Sequence, residues 1–387
     1  MPLLTKYGKK RLMETFENRA PGSRLLPDEL DARSRSGHSS ELRGRADGRF
    51  APSPTGPLHL GNLRTALLAW LFARSVGARF LVRVEDLDRS RVRPGMEEAQ
   101  LADLRAIGLD WDGPVVRQSE RIPLYDEAIA RLDSDGHLYP CYCTRAEIRA
   151  STSAPHGIPA TDRYPGNCRE LTAIERAERE AAGRPPALRV RAECARVAFE
   201  HRLSGRCEEE VDDFVVRRND GAPAYQLAVT VDDAAQEIGE VVRGADLIDS
   251  TPRQLLLAHL LGLPAVPRYA HVPLVLGSDG RRLAKRHGAV TLAERSILGE
   301  GPGGILGWMG RSLGLGEIGE TPTPADLLVR FAPDRLPLEP TVWPPEERRT
   351  THPKIGDRVH NRASIDGQRG AGVTRCGGSV YQQDHQP

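Results

Sequence analysis

The 387-residue chain lacks the marks of several large protein classes. No run approaches the ~20 consecutive apolar residues needed to cross a bilayer. Near the start, Lys9, Lys10 and Arg11 are followed by no apolar stretch of the kind a signal peptide carries. The cytoplasm is therefore the expected compartment. Charge of either sign is nearly balanced, at a formal +1, so no global basic field announces a nucleic-acid partner. A polyanion site must come from local clusters such as Arg217 with Arg218, or residues 281–286. Cysteine is scarce: six thiols at uneven spacing make no disulfide framework, and fit a metal site plus free thiols better. There is no internal repeat. What remains, 28% charged and 39% hydrophobic residues, suits a globular chain long enough for two or three domains.

Composition and periodicity divide the chain. Residues 1–48 are rich in Gly, Ser, Arg and acids without periodicity and read as a flexible extension. At Arg49 an ordered pattern begins: a strand end runs into a Pro/Gly-rich loop at 50–57. A helix follows over 61–77 with Leu63, Leu67 and Leu71 on one stripe, then a strand at 79–84 and a second helix at 96–107. This β-loop-α-β-α order opens a doubly wound parallel sheet of the Rossmann type. The expected first half of that catalytic domain is 49–140. Residues 141–235 read as an inserted connective subdomain. Its first part is loop-rich and bears cysteines, and at 213–233 two apolar strands flank the tight-turn signal Asn219-Asp220-Gly221. Strand character resumes at 240–244 and 270–276 with helix 252–263 between, giving a second half at 236–292. A short helical segment, 293–345, and a disordered tail, 346–387, are expected to complete the chain.

Two clusters carry phosphate chemistry. His59-Leu60-Gly61-Asn62 sits between a strand and a helix, where unpaired N–H groups and a positive dipole end suit phosphate. Gly61 permits close backbone approach, and His59 could donate to a phosphoryl oxygen or simply cap the helix. Arg282-Leu283-Ala284-Lys285-Arg286 follows the last buried strand and a Gly-Ser-Asp-Gly turn. It could close over a triphosphate or be a solvated charge run. A third cluster, Cys141-x-Cys143 with Tyr164 and Cys168, offers three thiolates in a loop-rich segment, which suits tetrahedral zinc. Chemistry alone leaves the fourth ligand open between His156 and Tyr164. Cys194, Cys207 and Cys376 lack partners at ligand spacing and read as plain thiols.

In this order the motifs resemble the glutamyl- and glutaminyl-tRNA synthetases. Pro52-Ser53-Pro54-Thr55-Gly56 with Leu58-His59-Leu60-Gly61 and Arg64-Thr65-Ala66-Leu67 looks like the family's HIGH segment, and 282–286 like its KMSKS loop. Further matches are 83–88, 118–121 and 242–247. The resemblance spans about 49–335. It departs from the pattern at Asn62, in place of a second histidine, and at Arg282 and Ala284, in place of a lysine and a serine, while Lys285 is retained.

The resemblance implies that ATP is held by His59, Gly61 and Lys285, with His59, Asn62 and Lys285 catalytic and Mg2+ accompanying the nucleotide. It implies a glutamate site at Arg49, Ala51, Ser53, Glu85, Tyr225 and Arg243. The residue types agree. A side-chain carboxylate calls for an arginine, an ammonium for a carboxylate, and sheet C-terminal edges are where such folds bind ligands. For Glu85 and Arg243 the competing reading is a structural ion pair, and for Tyr225 it is plain strand packing. The spacing of Tyr164 to Cys168 resembles the zinc site of the glutamyl-Q tRNA(Asp) synthetases, which favours Tyr164 as fourth ligand. So few ordered residues follow 292 that the chain resembles this truncated branch as a whole. The branch implies a monomer that forms glutamyl-adenylate without tRNA and passes glutamate to queuosine in tRNA-Asp.

Overall fold

The computed structural model describes residues 47–144, 146–148 and 163–343. Strand β1, Gly48–Phe50, leads through the 51–58 loop into helix α1, Leu60–Ser75. Eleven α1 residues are buried, because the helix is clasped by the sheet on one side and by C-terminal helices on the other. It stops at Gly77, which takes the left-handed backbone, φ 67°, that a β-carbon would oppose. Strand β2, Phe80–Val84, helix α2, Met96–Ala106, and strand β3, Val116–Arg117, complete a three-stranded parallel sheet in the order β1-β2-β3.

Helix α3, Ile122–Ser134, leads into a second, antiparallel sheet of β4, Leu138–Cys141, β5, Ala187–Val190, and β8, Val215–Arg217. Between β4 and β5 lies the exposed helix α4, Ala173–Ala181. Strands β6, Arg196–His201, and β7, Gly205–Glu210, form a hairpin that leaves this sheet. It joins a further sheet, where His201 on β6 pairs parallel with Tyr269. The 141–235 segment therefore also widens the central sheet.

After β8 the structure departs from the sequence reading. The Asn219-Asp220-Gly221 turn is present: Gly221 has φ 85° and Arg217 bridges Pro223. The second arm, however, is helix α5, Tyr225–Ala235, not a strand. The run Leu227 to Val231 is apolar and partly β-branched, and over so short a stretch periodicity cannot separate strand from buried helix. Packing of Leu227, Ala228 and Val231 with Ile129 of α3 and with Leu257 further along the chain decides for helix.

Strand β9, Glu240–Gly244, helix α6, Ser250–Leu261, and strand β10, Arg268–Val272, resume the parallel pattern. The amides of Gly239 and Glu240 donate to the Asp47 carbonyl at 2.9 and 3.2 Å, joining β9 to the start of β1. From that junction the strand order runs outward both ways, β1-β2-β3 and β9-β10-β6-β7. Such a reversal opens a crevice at the carboxyl ends of the strands. Strand β11, Val275–Leu276, precedes the basic loop. Helices α7, Leu292–Ile297, α8, Pro302–Ser312, and α9, Pro324–Arg330, and strand β12, Thr341–Val342, close the described chain. Buried Arg64 on α1 ties this C-terminal part down, donating to Ser312 Oγ at 2.8 Å and to the Pro273 carbonyl at 2.9 Å. Among the described residues no helix is long and apolar enough to cross a membrane.

Candidate active site

The crevice is lined first by the histidine segment. His59 is the N-cap of α1: its Nδ1 accepts from the Asn62 amide at 3.2 Å, while Asn62 Oδ1 accepts from the His59 amide at 3.3 Å. Burial, reinforced by the charge of Arg282, lowers the His59 pKa to about 3, so the ring is neutral. With Nδ1 accepting, its proton resides on Nε2. Capping and donation are thus compatible, one on each nitrogen. A β-carbon at Gly61 would meet the His59 ring at 3.0 Å and Val275 Cβ at 3.4 Å, so glycine lets the ring lie against the helix start.

The basic loop returns to the same place. The Leu60 amide donates to the Val290 carbonyl at 2.8 Å and His59 bridges Thr291, just beyond the loop. The loop is a tight hairpin, with Gly277 N–H bonded to the Arg281 carbonyl at 2.8 Å and Leu283 N–H to Val275 at 2.9 Å. Arg282 pairs with Asp246. Lys285 opens the short 3-10 turn Lys285–His287. His287 clamps the loop: its Nδ1 accepts from the Ala284 amide at 2.9 Å and its Nε2 lies 2.9 Å from Asp279 Oδ1. Its ring lies so close to Gly277 that a β-carbon there would meet it at 2.3 Å.

Across the sheet junction the strand ends bring together a buried set of charges. Arg49, on β1, donates to both oxygens of Asp233 at 3.1 and 3.4 Å and to the Val242 carbonyl. Arg83, on β2, is wholly buried and meets Asp233 at 2.7 Å, Asp232 at 3.6 Å and Glu85 at 3.6 Å. Burial pushes the Glu85 carboxyl up to about 7, against the pull of Arg83 and Arg49. Ser53 is exposed on the loop, and Ala51 stands two residues before it. The carbonyls of Ser53 and Gly56 accept from Gln100 Nε2, which holds the loop to α2.

Arg243, at the end of β9, is different. It is 4% exposed, yet all its partners are neutral: Thr251 Oγ1 at 2.7 Å, Gln254 Oε1 at 2.9 Å, His271 Nε2 at 3.2 Å and the Tyr225 hydroxyl at 3.4 Å. Among the described residues no carboxylate is within ion-pair distance of it. The alternative of a structural ion pair, raised for Glu85 and Arg243, therefore describes Glu85, which meets Arg83 at 3.6 Å, but not Arg243. Tyr225, read as a strand residue, is instead the first residue of α5, with its hydroxyl facing Arg243.

In the inserted segment, the sulfurs of Cys141, Cys143 and Cys168 lie within 4.8 Å of one another, with 3.4 Å between Cys143 and Cys168. The Tyr164 hydroxyl is 3.4 Å from Cys141 Sγ and 3.9 Å from Cys143 Sγ. A tetrahedral ion with sulfur ligands at ~2.3 Å sets edges of roughly 3.8 Å, so this donor set fits a metal. His156 lies outside the described residues. Cys194 is a free, exposed thiol and Cys376 is also outside the described residues. Cys207 is buried on β7.

Several residues of the site gave little signal in the sequence. Asp232 and Asp233 were a faint one, an acidic pair ending an apolar run. Thr251, Gln254 and His271 gave none, because only the packing of α6 and β10 against β9 brings them to Arg243.

A Rossmann-type sheet split by an insertion, with a histidine-capped helix start facing a basic hairpin across the strand junction, defines the catalytic domain of a class I aminoacyl-tRNA synthetase. Residues 46–302 match the family of class I tRNA synthetases (E and Q), catalytic domain. The chain is 60% identical over 295 residues to a glutamyl-Q tRNA(Asp) synthetase of Nocardia farcinica, covering 76% of this chain and 92% of the relative. It is 51% identical to one from Symbiobacterium thermophilum, covering 77% and 96%. Among solved structures, a glutamate tRNA ligase of Elizabethkingia meningosepticum in complex with its amino acid superposes with a TM-score of 0.65 at 28% identity, covering 77% of this chain and 67% of that one. The chain belongs to the class I tRNA synthetases of the E and Q type, in the branch of the glutamyl-Q tRNA(Asp) synthetases. It is a synthetase-like ligase.

Proposed function

We propose that this enzyme activates L-glutamate with ATP, without tRNA, and transfers the glutamyl group to queuosine at the wobble position of tRNA-Asp in the cytoplasm. The observation that carries the amino-acid assignment is Arg243, a buried cation whose partners are all neutral. A buried charge without a counter-ion is costly, and an anionic ligand group supplies one. The side-chain carboxylate of glutamate takes that place, with the Tyr225 hydroxyl beside it. Glu85 and Ser53 receive the ammonium at the neighbouring strand end, next to Ala51. Arg49, neutralised by Asp233, holds the strand ends together rather than meeting the substrate alone.

The α-carboxylate of the bound glutamate attacks the α-phosphorus of ATP in line, releasing pyrophosphate and leaving glutamyl-adenylate. No protein nucleophile is needed; the chain supplies position and charge. His59 donates through Nε2 to a phosphate oxygen, Asn62 keeps that ring oriented, Gly61 admits the nucleotide, and Lys285 in the basic loop offsets negative charge as it develops. Mg2+ accompanying the ATP would supply screening of the phosphate charge. A hydroxyl of the modified base then attacks the activated carbonyl; the acyl–phosphate bond breaks, AMP leaves, and the hydroxyl proton passes to the departing phosphate, which leaves a glutamyl ester. Cys141, Cys143, Cys168 and Tyr164 would hold a structural Zn2+ that braces the inserted segment.

The test is glutamate-dependent pyrophosphate exchange with no tRNA present, followed by transfer of labelled glutamate to tRNA-Asp with and without queuosine and to tRNA-Glu. Exchange without tRNA, and transfer only to the queuosine-bearing tRNA-Asp, are expected. Transfer to tRNA-Glu instead would identify an ordinary glutamyl-tRNA synthetase, and absence of exchange would remove the activation step.

A further inference from the structure

The surroundings of Arg243 have an internal order that bears on selectivity. Gln226 Nε2 donates to Ser250 Oγ at 3.0 Å, which turns Gln226 Oε1 towards Gln254. Gln254 Nε2 donates to that oxygen at 3.0 Å, so Gln254 must present its own oxygen to Arg243, at 2.9 Å. The hydroxyl of Thr251 accepts from Arg243 at 2.7 Å, which leaves its proton for His271 Nε2, 3.0 Å away. His271 Nε2 also accepts from Arg243 Nε, so it carries no proton, and the ring is neutral with its hydrogen on the buried Nδ1. Every orientation in the chain Ser250-Gln226-Gln254-Arg243-Thr251-His271 is thus fixed by the next member.

We infer that this relay of uncharged acceptors is the specificity device of the site: it holds the Arg243 guanidinium in place without neutralising it, and thereby selects a ligand carboxylate over the isosteric amide of glutamine. Arg49 and Arg83, a strand or two away, show the alternative, an arginine fixed by carboxylates and so without surplus charge. Gln254 is a positioning residue whose neutrality matters as much as its geometry. The inference rests on the reading of Arg243 as the receiver of the glutamate side chain.

Pyrophosphate exchange is measured with glutamate and with glutamine for wild type, Gln254→Glu and Gln254→Met, with thermal melts to verify folding. Gln254→Glu places a carboxylate against the guanidinium. It is expected to raise KM for glutamate roughly 30-fold and to lower the glutamate-to-glutamine ratio of kcat/KM at least ~10-fold, with KM for ATP within about twofold. Gln254→Met removes the acceptor without adding charge. It is expected to raise KM for glutamate only about 3- to 5-fold and to keep the ratio near that of wild type. Should Gln254→Glu not fold, Thr251→Asp places the same charge on the other guanidinium nitrogen. Equal ratios in wild type and the acidic variant, or equal loss of ratio in the acidic and methionine variants, would overturn the inference. A wild-type enzyme that activates neither amino acid is a different outcome: it removes the underlying assignment of Arg243, and the inference with it.

Discussion

Arg49 Nε lies 3.1 Å from Asp233 Oδ1, the same oxygen that receives Arg83 NH1 at 2.7 Å. One carboxylate on α5 therefore joins the ends of β1 and β2. Burial alone would raise the Asp233 carboxyl, but Arg49 and Arg83 hold it below the usual 3.8. Stability from this pair is present above the ordinary carboxylate range and is lost as pH falls through the lower folded value. Asp233→Asn leaves two buried cations short of a counter-charge. It is expected to cost about 3–5 kcal/mol in denaturant unfolding at neutral pH, with a smaller deficit in acid. An unfolding midpoint unchanged at pH 7 would refute the role.

Glu85 is displaced the other way, up to about 7, first because it is buried. A raised carboxyl favours the fold while protonated, so its contribution is complete below the usual 4.5 and is lost as pH rises through 7. Ligand binding has the opposite slope, because an ammonium group requires the ionised form. Glutamate affinity, followed by calorimetry between pH 6 and 8, is expected to strengthen about 5- to 10-fold with rising pH. Glu85→Gln should bind more weakly at every pH and lose that slope. A parallel slope in the variant would dissociate Glu85 from the ammonium.

Gly277 and His287 predict how the basic loop is held. Gly277→Ala would drive a methyl into the His287 ring, displacing the clamp on Ala284 that precedes Lys285. A fall in kcat for pyrophosphate exchange of roughly 10-fold, with KM for glutamate nearly unchanged, is the expected outcome. Lys285→Ala, which deletes the charge itself, should lower kcat about 100- to 1,000-fold in the same assay. An alanine at 277 with full activity would show that the clamp is dispensable.

The thiol cluster predicts metal dependence of stability. The purified enzyme is expected to contain about one zinc per chain by elemental analysis, and chelation should lower the melting temperature by several degrees. Cys168→Ser, at a wholly buried ligand position, should abolish metal retention. Cys194→Ser, at the exposed free thiol, should leave it unchanged. Equal zinc content in both variants would rule out the cluster as the site.

Much of the fold was legible because its signals are local. The helix over 61–77 appears as Leu60–Ser75 and the strand at 240–244 as Glu240–Gly244. Apolar periodicity and the flanking glycines delimit such segments without help from the rest of the chain. The segment after Gly221 was misread for the same reason: its strand-like composition is local, whereas the packing that makes it helix α5 is not.

By itself the sequence determined the family, the order of elements and the candidates for phosphate, glutamate and metal, since each is written in residue type and short spacing. Only the tertiary structure decided which arginine has no carboxylate beside it. Asp233 beside Arg49, and Gln254, Thr251 and His271 around Arg243, come from segments distant in sequence. Electrostatic compensation depends on separation in space, and the chain brings those groups to one another only when β9, α6 and β10 pack together.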